Sequence, residues 1–284
     1  MTLPSHYTRD DLVGAIRAVG IGSGDLVSLQ VSLGRLGLPV GIAPSYSALS
    51  NFVIDAFLEV VGQDGTLVVP TYTYSIGRGE IFEVETTPSA IGEFPEIFRK
   101  RAEVIRSRDP MMSSAAIGPL SKAVLRNIST SCYGIGSAFH KLRDANARIC
   151  TLGISLYWAT FRHHIEEMAV VPFRFAKQFT GTVREGDVDS QEVWSYFAAP
   201  RAENCQPDGA NLERRVRAAD MLAIAPVGRG ELMAIGARDY FEFGFKELQT
   251  DPWLSAKGPP APPEVIFRDE PQWWERQGKA QPQS

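Results

Sequence analysis

The chain has 284 residues, 44% of them hydrophobic and 22% charged, and its 29 Lys and Arg against 33 Asp and Glu give a formal net charge of -4. We expect an ordinary globular protein of one domain, and the acidic balance points away from nucleic acid and from polybasic attachment to a membrane. No uncharged apolar run approaches the roughly 18 residues that a bilayer span needs, and residues 1–12 lack a signal-peptide core, so a cytoplasmic location is expected. Cys132, Cys150 and Cys205 are widely spaced with no CxxC, which predicts reduced, buried thiols rather than disulfides or a zinc site.

In chain order, Thr8-Arg9-Asp10-Asp11 reads as a helix start with Thr8 as cap, and the apolar spacing continues to Val19 before Gly20 and Gly22. Residues 25–32 predict a strand that runs into a glycine loop over 32–41, and a second helix follows from Ser45 to Val61. Strand, glycine loop and helix is a geometry that meets phosphate. The spacing is neither GxGxxG nor GK[ST], so a plain connecting loop and an anion site both stay open. Thr66–Pro70 is a short buried strand, and the hydroxyls of Thr71, Tyr72, Thr73, Tyr74 and Ser75 at its end suit a polar cleft.

Residues 76–92 are loop-like, and a helix entered past Pro95 precedes a strand over 104–108 that carries Arg106 and Arg108 and turns at Asp109-Pro110. The basic pair reads either as a phosphate grip or as solvated charge. Tyr133–His140 is another Gly/Ser loop, and Arg148–Ile154 is a strand. Beyond residue 175 paired strands replace the alternation of strand and helix. One hairpin joins 177–183 to 192–197, a short helix follows over 212–221, and a second hairpin joins 222–227 to 231–235 before a last helix over 238–254. Pro259, Pro260, Pro262 and Pro263 open a Pro- and Gln-rich tail over 258–284 with no packed core expected. The fold class is therefore α/β, a central mixed β-sheet flanked by helices over residues 1–257 with an antiparallel, hairpin-rich C-terminal part.

Chemistry concentrates in Thr160-Phe161-Arg162-His163-His164-Ile165-Glu166-Glu167. On a helix, His163 meets Glu166 at i,i+3 and Glu167 at i,i+4, and His164 meets Glu167 at i,i+3. A carboxylate that accepts from one imidazole nitrogen leaves the other free as a base. The same residues also read as a solvated helix face, or as metal ligands, although HExxH is absent and no second ligand cluster accompanies them.

Six segments in order resemble the aminoglycoside 3-N-acetyltransferase family, the CoA-dependent group distinct from the GNAT acetyltransferases. They are Gln30-Val31-Ser32-Leu33 with its glycine loop, Asp64–Thr73, Gly92–Arg99, Arg106–Ser113, Tyr133–Ser137, and Thr160–Glu167 before Val171-Pro172-Phe173-Arg174. The resemblance implies an acyltransferase with acetyl-CoA as co-substrate, no metal, and an aminoglycoside or related amino sugar as the amine acceptor; members with Arg-Asp-Pro in this segment are placed with surface-glycan amino sugars. A non-catalytic CoA- or sugar-binding homologue is the other class, and a homodimer is admitted. It also implies His163 as the catalytic histidine with Thr160 before it and Glu166 or Glu167 orienting it, and it places Ser32, Leu33, Gly34, Thr71, Thr73, Arg106 and Ser113 at the CoA site. Two positions depart from the family pattern: Gln30 and Asp109 stand where histidines are usual.

These roles predict direct transfer in a ternary complex, with His163 as a base of pKa near 7 removing the amine proton. Main-chain N–H groups near Ser32, or the Thr71 and Thr73 hydroxyls, would face the developing oxyanion.

Overall fold

In the computed structural model, which describes residues 6–260, the capped and periodic stretches form helices close to where the sequence puts them. A two-residue strand β1 (His6–Tyr7) leads into α1 (Arg9–Ala18), whose capping box is closed on both sides. The Asp11 amide donates to Thr8 Oγ1 at 3.1 Å, and the Thr8 amide donates to Asp11 Oδ2 at 2.7 Å. Strand β2 (Leu26–Val31), a 3-10 turn at Leu33–Arg35 and β3 (Leu38–Pro39) fill the predicted strand and glycine loop. Helix α2 (Tyr46–Val61) begins at Ser45, whose Oγ accepts from the Ala48 amide, and stops at Gly62 with φ of 67°.

There follow β4 (Thr66–Pro70), β5 (Phe82–Glu83), α3 (Glu93–Arg99), β6 (Ile105–Arg106), β7 (Ser114–Ile117), α4 (Ser121–Leu125), α5 (Ala138–Asp144) and β8 (Arg148–Leu152). The rest comprises α6 (Arg162–Met168), β9 (Phe175–Glu185), β10 (Val188–Ala198), α7 (Ala210–Ala218), β11 (Ala223–Val227), β12 (Gly230–Gly236) and α8 (Ala237–Thr250).

Seven strands form the main sheet in the order β11-β12-β8-β2-β4-β7-β6. The three central strands β8, β2 and β4 are parallel, and antiparallel pairs extend the sheet at both ends. Alternation along these strands sends every second side chain to one of two cores. Val27 and Leu29, Leu67 and Val69, Cys150 and Leu152, and Leu232 and Ala234 pack with α1, α2 and α3 on one face. Leu26, Val68, Ile149, Met233 and Ile235 face the opposite core, which takes residues from α4 to α8 and from the β9–β10 hairpin. Both faces are covered, which is why the central strands read as continuous apolar runs.

The expected α/β class with a mixed central sheet stands. The second predicted hairpin, β11–β12, is not a separate unit, because β12 pairs antiparallel with β8 and so widens the main sheet. Strand β7 was not anticipated: Ser114, Ala115 and Ala116 are all buried and small, so no polar face marks the alternation. Within the predicted 133–140 loop, Ser137 caps α5 by accepting from the His140 amide at 3.2 Å. The expected tail over 258–284 falls almost wholly outside the described residues. Among those residues no helix is long and apolar enough to cross a membrane.

Two glycines test the packing. A Cβ on Gly118, where φ is +127°, would stand 2.2 Å from Gly65 O and 2.7 Å from Thr66 Cα, so Gly118→Ala is expected to destabilise by about 2–4 kcal/mol. Gly14 lies inside α1 with nothing within 4 Å of such a Cβ, and Gly14→Ala is expected to stabilise by about 0.5–1 kcal/mol. Urea unfolding of the two variants beside the parent chain checks the opposite signs.

Candidate active site

The parallel strands β2, β4 and β8 end together, and chain order reverses beside β2, whose neighbours β4 and β8 lie on opposite sides. Open α/β sheets bind ligands in such a crevice at their carboxyl ends. Here a cleft of about 380 Å³ is walled by Gln30 and Val31 of β2, Pro70 of β4, Tyr72 and Tyr74 just beyond it, Trp158 and Thr160. A second section of about 400 Å³ shares Val31, Ile91, Phe94 and Pro95 with the first and reaches Ser32, Gly34 and Glu93. Tyr74 holds a φ of 56°, a conformation costly for a bulky side chain, and its neighbour Thr73 is tied by its hydroxyl to Pro110 O at 2.7 Å.

Beyond β8 a 3-10 turn at Leu156–Trp158 delivers the chain to α6. Gln30 fixes this approach from both sides: its Nε2 donates to Trp158 O at 3.1 Å, and its Oε1 accepts from the Thr160 amide at 2.8 Å. The His163 amide in turn donates to Thr160 O at 2.9 Å. A glutamine can donate and accept at once, so this departure from the family's histidine clips the loop that lines the cleft to the first turn of α6.

On α6, His163 Nδ1 lies 2.7 Å from Glu166 Oε2. That places the donated proton on Nδ1 and leaves Nε2, which has no hydrogen-bond partner among the described residues, as the accepting nitrogen. Glu166 has no exposed surface and gathers four groups. Arg162 pairs with Oε1, Arg174 Nε lies 2.8 Å from Oε2, and Ser255 Oγ donates to Oε1 at 2.7 Å, in addition to His163. Burial alone would raise this carboxyl, but the two guanidinium groups and then the imidazole outweigh it and hold Glu166 well below the usual carboxylate range.

Burial first, then Arg174, push His163 down to about 3 in spite of Glu166. The value near 7 expected from the sequence is thus not found, because burial, with the two arginines beside it, outweighs the pull of Glu166. The imidazole is neutral and its accepting nitrogen is empty across the physiological range. Tyr133 stacks edge-on against it at 5.3 Å between centroids, and Tyr196 of β10 backs Tyr133 at the same separation.

The neighbouring residues of the motif take other positions. Glu167 turns from His163 to Ser131, whose Oγ donates at 3.2 Å, and burial raises its carboxyl. His164 is fully buried with Nδ1 2.5 Å from Tyr133 O, so the two histidines point at different partners. Among the described residues no three His, Cys, Asp or Glu converge as a metal would require. Ser32, Leu33 and Gly34 all line the second cleft section, with the Leu33 side chain largely buried and the Ser32 amide committed to Leu152 O at 2.9 Å.

Thr71, Thr73, Ser113 and Arg106 stand behind the wall rather than in it. All four are buried, and their donors meet internal acceptors. Ser113 Oγ donates to Thr71 O at 2.7 Å, and Arg106 donates to Thr71 O at 2.8 Å and Thr87 O at 2.6 Å. Asp109 Oδ1 likewise accepts from the amides of Met111 and Met112 at 2.9 and 2.8 Å, and burial raises its carboxyl to about 6. The aspartate thus builds a turn where the family pattern has a histidine. Sequence reasoning missed Arg162, Arg174 and Ser255 as partners of Glu166. Arg162 is legible at i,i+4, Arg174 only as part of a quoted segment, and Ser255 carries no local signal.

The fold and this cleft define an α/β acyltransferase. The chain belongs to the aminoglycoside 3-N-acetyltransferase family, whose model matches residues 30–249. It is similar to aminoglycoside N(3)-acetyltransferase VIII of Streptomyces fradiae, 28% identical over an alignment of 260 residues, with 83% of this chain and 87% of that one covered. Its fold is that of aminoglycoside acetyltransferase AAC(3)-Xa, with a TM-score of 0.75, 23% identity and coverage of 88% and 94% of the two chains. It is equally that of AAC-IIIb in binary complex with CoASH, with a TM-score of 0.75, 19% identity and coverage of 90% and 100%.

Two outcomes test the electrostatics. Glu166→Gln leaves Arg162 and Arg174 buried without their carboxylate and is expected to destabilise by about 3–5 kcal/mol in denaturant unfolding. His163 and His164 are held at about 3 and about 4, below the ordinary 6.5, so below that pH the unfolded chain binds more protons and stability falls. The Tm is expected to drop on acidification from pH 7 toward 4, less steeply in His163→Gln; an unchanged slope in that variant contradicts the assignment.

Proposed function

We propose that this chain transfers an acetyl group from acetyl-CoA to an amine of an aminoglycoside or a related amino sugar, with His163 as general base and no covalent acyl-enzyme. The observation that carries the reading is the His163 imidazole, held by buried Glu166 in the tautomer that leaves Nε2 free, one helical turn after cleft residue Thr160. The donor follows from family membership, and the cleft suits it. Glu93 is the one formally charged side chain along its two sections, and mostly apolar walls accommodate the uncharged pantetheine arm of CoA.

Nε2 takes a proton from the amine as its nitrogen bonds to the thioester carbon and the carbon–sulfur bond breaks; the departing thiolate takes up a proton. Glu166 keeps the imidazole oriented, and Gln30 keeps Thr160 and the first turn of α6 in register with the cleft. Direct transfer is supported by the cysteines: Cys132, Cys150 and Cys205 are all buried, and burial raises each thiol. Because the Thr71 and Thr73 hydroxyls meet internal carbonyls, we assign them to shaping the wall, and we keep the Leu33 and Gly34 amides for the donor's pyrophosphate.

His163→Ala is expected to lower kcat by about 10²–10⁴-fold while the Kd for CoA stays within about twofold. Thiol release from acetyl-CoA with kanamycin-type aminoglycosides and with nucleotide-linked amino sugars, alongside calorimetry, checks both halves. A kcat near that of the parent enzyme would sink the role of His163.

A further inference from the structure

We infer that Arg35 and Arg229 form a clamp for the 3′-phosphate of CoA at the rim of the donor cleft; the inference rests on the donor reading above. The two side chains line one cavity of about 330 Å³ together with Gly153, Ile154 and Gly230. Ile154 also walls the main cleft, and Arg35 closes the 3-10 turn whose first residues, Ser32 and Gly34, line its second section. The cavity therefore adjoins the main cleft beside the glycine loop.

The placement is built into the fold. The Arg229 amide donates to Leu36 O at 2.8 Å. A Cβ on Gly228, where φ is +55°, would stand 2.1 Å from Leu36 O, and one on Gly153, where φ is +72°, would stand 2.6 Å from Ser32 O. A Cβ on Gly230 would approach a Leu36 methyl to 3.0 Å and Arg35 O to 3.4 Å. The β11–β12 turn and the end of β8 are keyed into the 3-10 turn at three positions that leave little or no room for a side chain, which holds Arg229 beside Arg35.

Both arginines are exposed, and neither guanidinium has a hydrogen-bond or ion-pair partner among the described residues. Other surface arginines do meet carboxylates: Arg9 pairs with Glu59 at 2.8 Å and Arg101 with Asp55 at 2.6 Å. One carboxylate, Glu231, lines the same cavity, so the lining keeps one net positive charge. Two guanidinium forks at a wet rim match a terminal phosphate monoester, which carries close to two charges and accepts bidentate donors. In CoA that group stands on the ribose, away from the uncharged arm that the apolar cleft suits.

Calorimetric titration of the full chain with CoA and with 3′-dephospho-CoA tests the clamp independently of turnover. The parent protein is expected to bind CoA about tenfold more tightly, and Arg229→Gln and Arg35→Gln to bring the two ligands within about twofold. The clamp is overturned if the parent binds both equally, if the variants keep its preference, or if they weaken both ligands alike, which would put the arginines on the pyrophosphate. The acyltransferase reading fails separately: a preference for CoA that collapses in the variants, with no acyl transfer to any amine, leaves the clamp standing and removes the enzyme.

Discussion

The site depends on one carboxylate placed where water does not reach. Glu166 is charged inside the core only because Arg162, Arg174, Ser255 and His163 surround it, and removing any charged partner leaves the others facing a low-dielectric interior. The balance has a chemical result. A glutamate beside a histidine draws the imidazole toward its charged form; here burial, and then the two guanidinium groups, outweigh that pull and favour the neutral imidazole. Orientation and basicity are thereby separated, since Glu166 fixes the tautomer while its negative charge is already balanced.

The sheet brings this arrangement to a ligand. Three parallel strands ending together provide the crevice, and α6, which carries His163, begins two residues after cleft residue Thr160. The antiparallel strands on either side serve different ends. β7 anchors the wall through Ser113, which immediately precedes it and bonds Thr71 O. The β9–β10 hairpin is tied to the 130–132 segment by the Ser195 amide on Thr130 O at 2.8 Å and the Cys132 amide on Ser195 O at 2.9 Å, and so supports Tyr133 against His163. The cleft wall and His163 are held by different parts of the chain, meeting at Gln30.

Much of this was legible in the sequence, for physical reasons. Capping residues at Thr8 and Ser45 and apolar spacing located α1 and α2, and the HHxEE spacing placed an imidazole and a carboxylate on one helix face. What periodicity does not encode is direction across the fold. Glu166 at i,i+3 and Glu167 at i,i+4 are both within reach of His163 on paper, and only the positions of Ser131 and the arginines assign one to His163 and turn the other away. The hydroxyls after β4 were read as cleft lining because polarity at a strand end marks a site; two of them, on Thr71 and Thr73, bond backward to carbonyls of the adjoining 110–113 segment. Small buried residues hid β7, and the departures at Gln30 and Asp109 became intelligible only as hydrogen-bonding side chains that hold a loop and a turn.

Ser255 reaches Glu166 across 89 positions of sequence. Between them lie both hairpins and the helices α7 and α8, so the carboxylate has its full set of partners only when the whole second half of the fold is in place. Assembly of this buried cluster and completion of the fold are in that sense one event. A fragment that stops short of residue 255 contains the histidine, its glutamate and both arginines, yet not the environment that makes them a site.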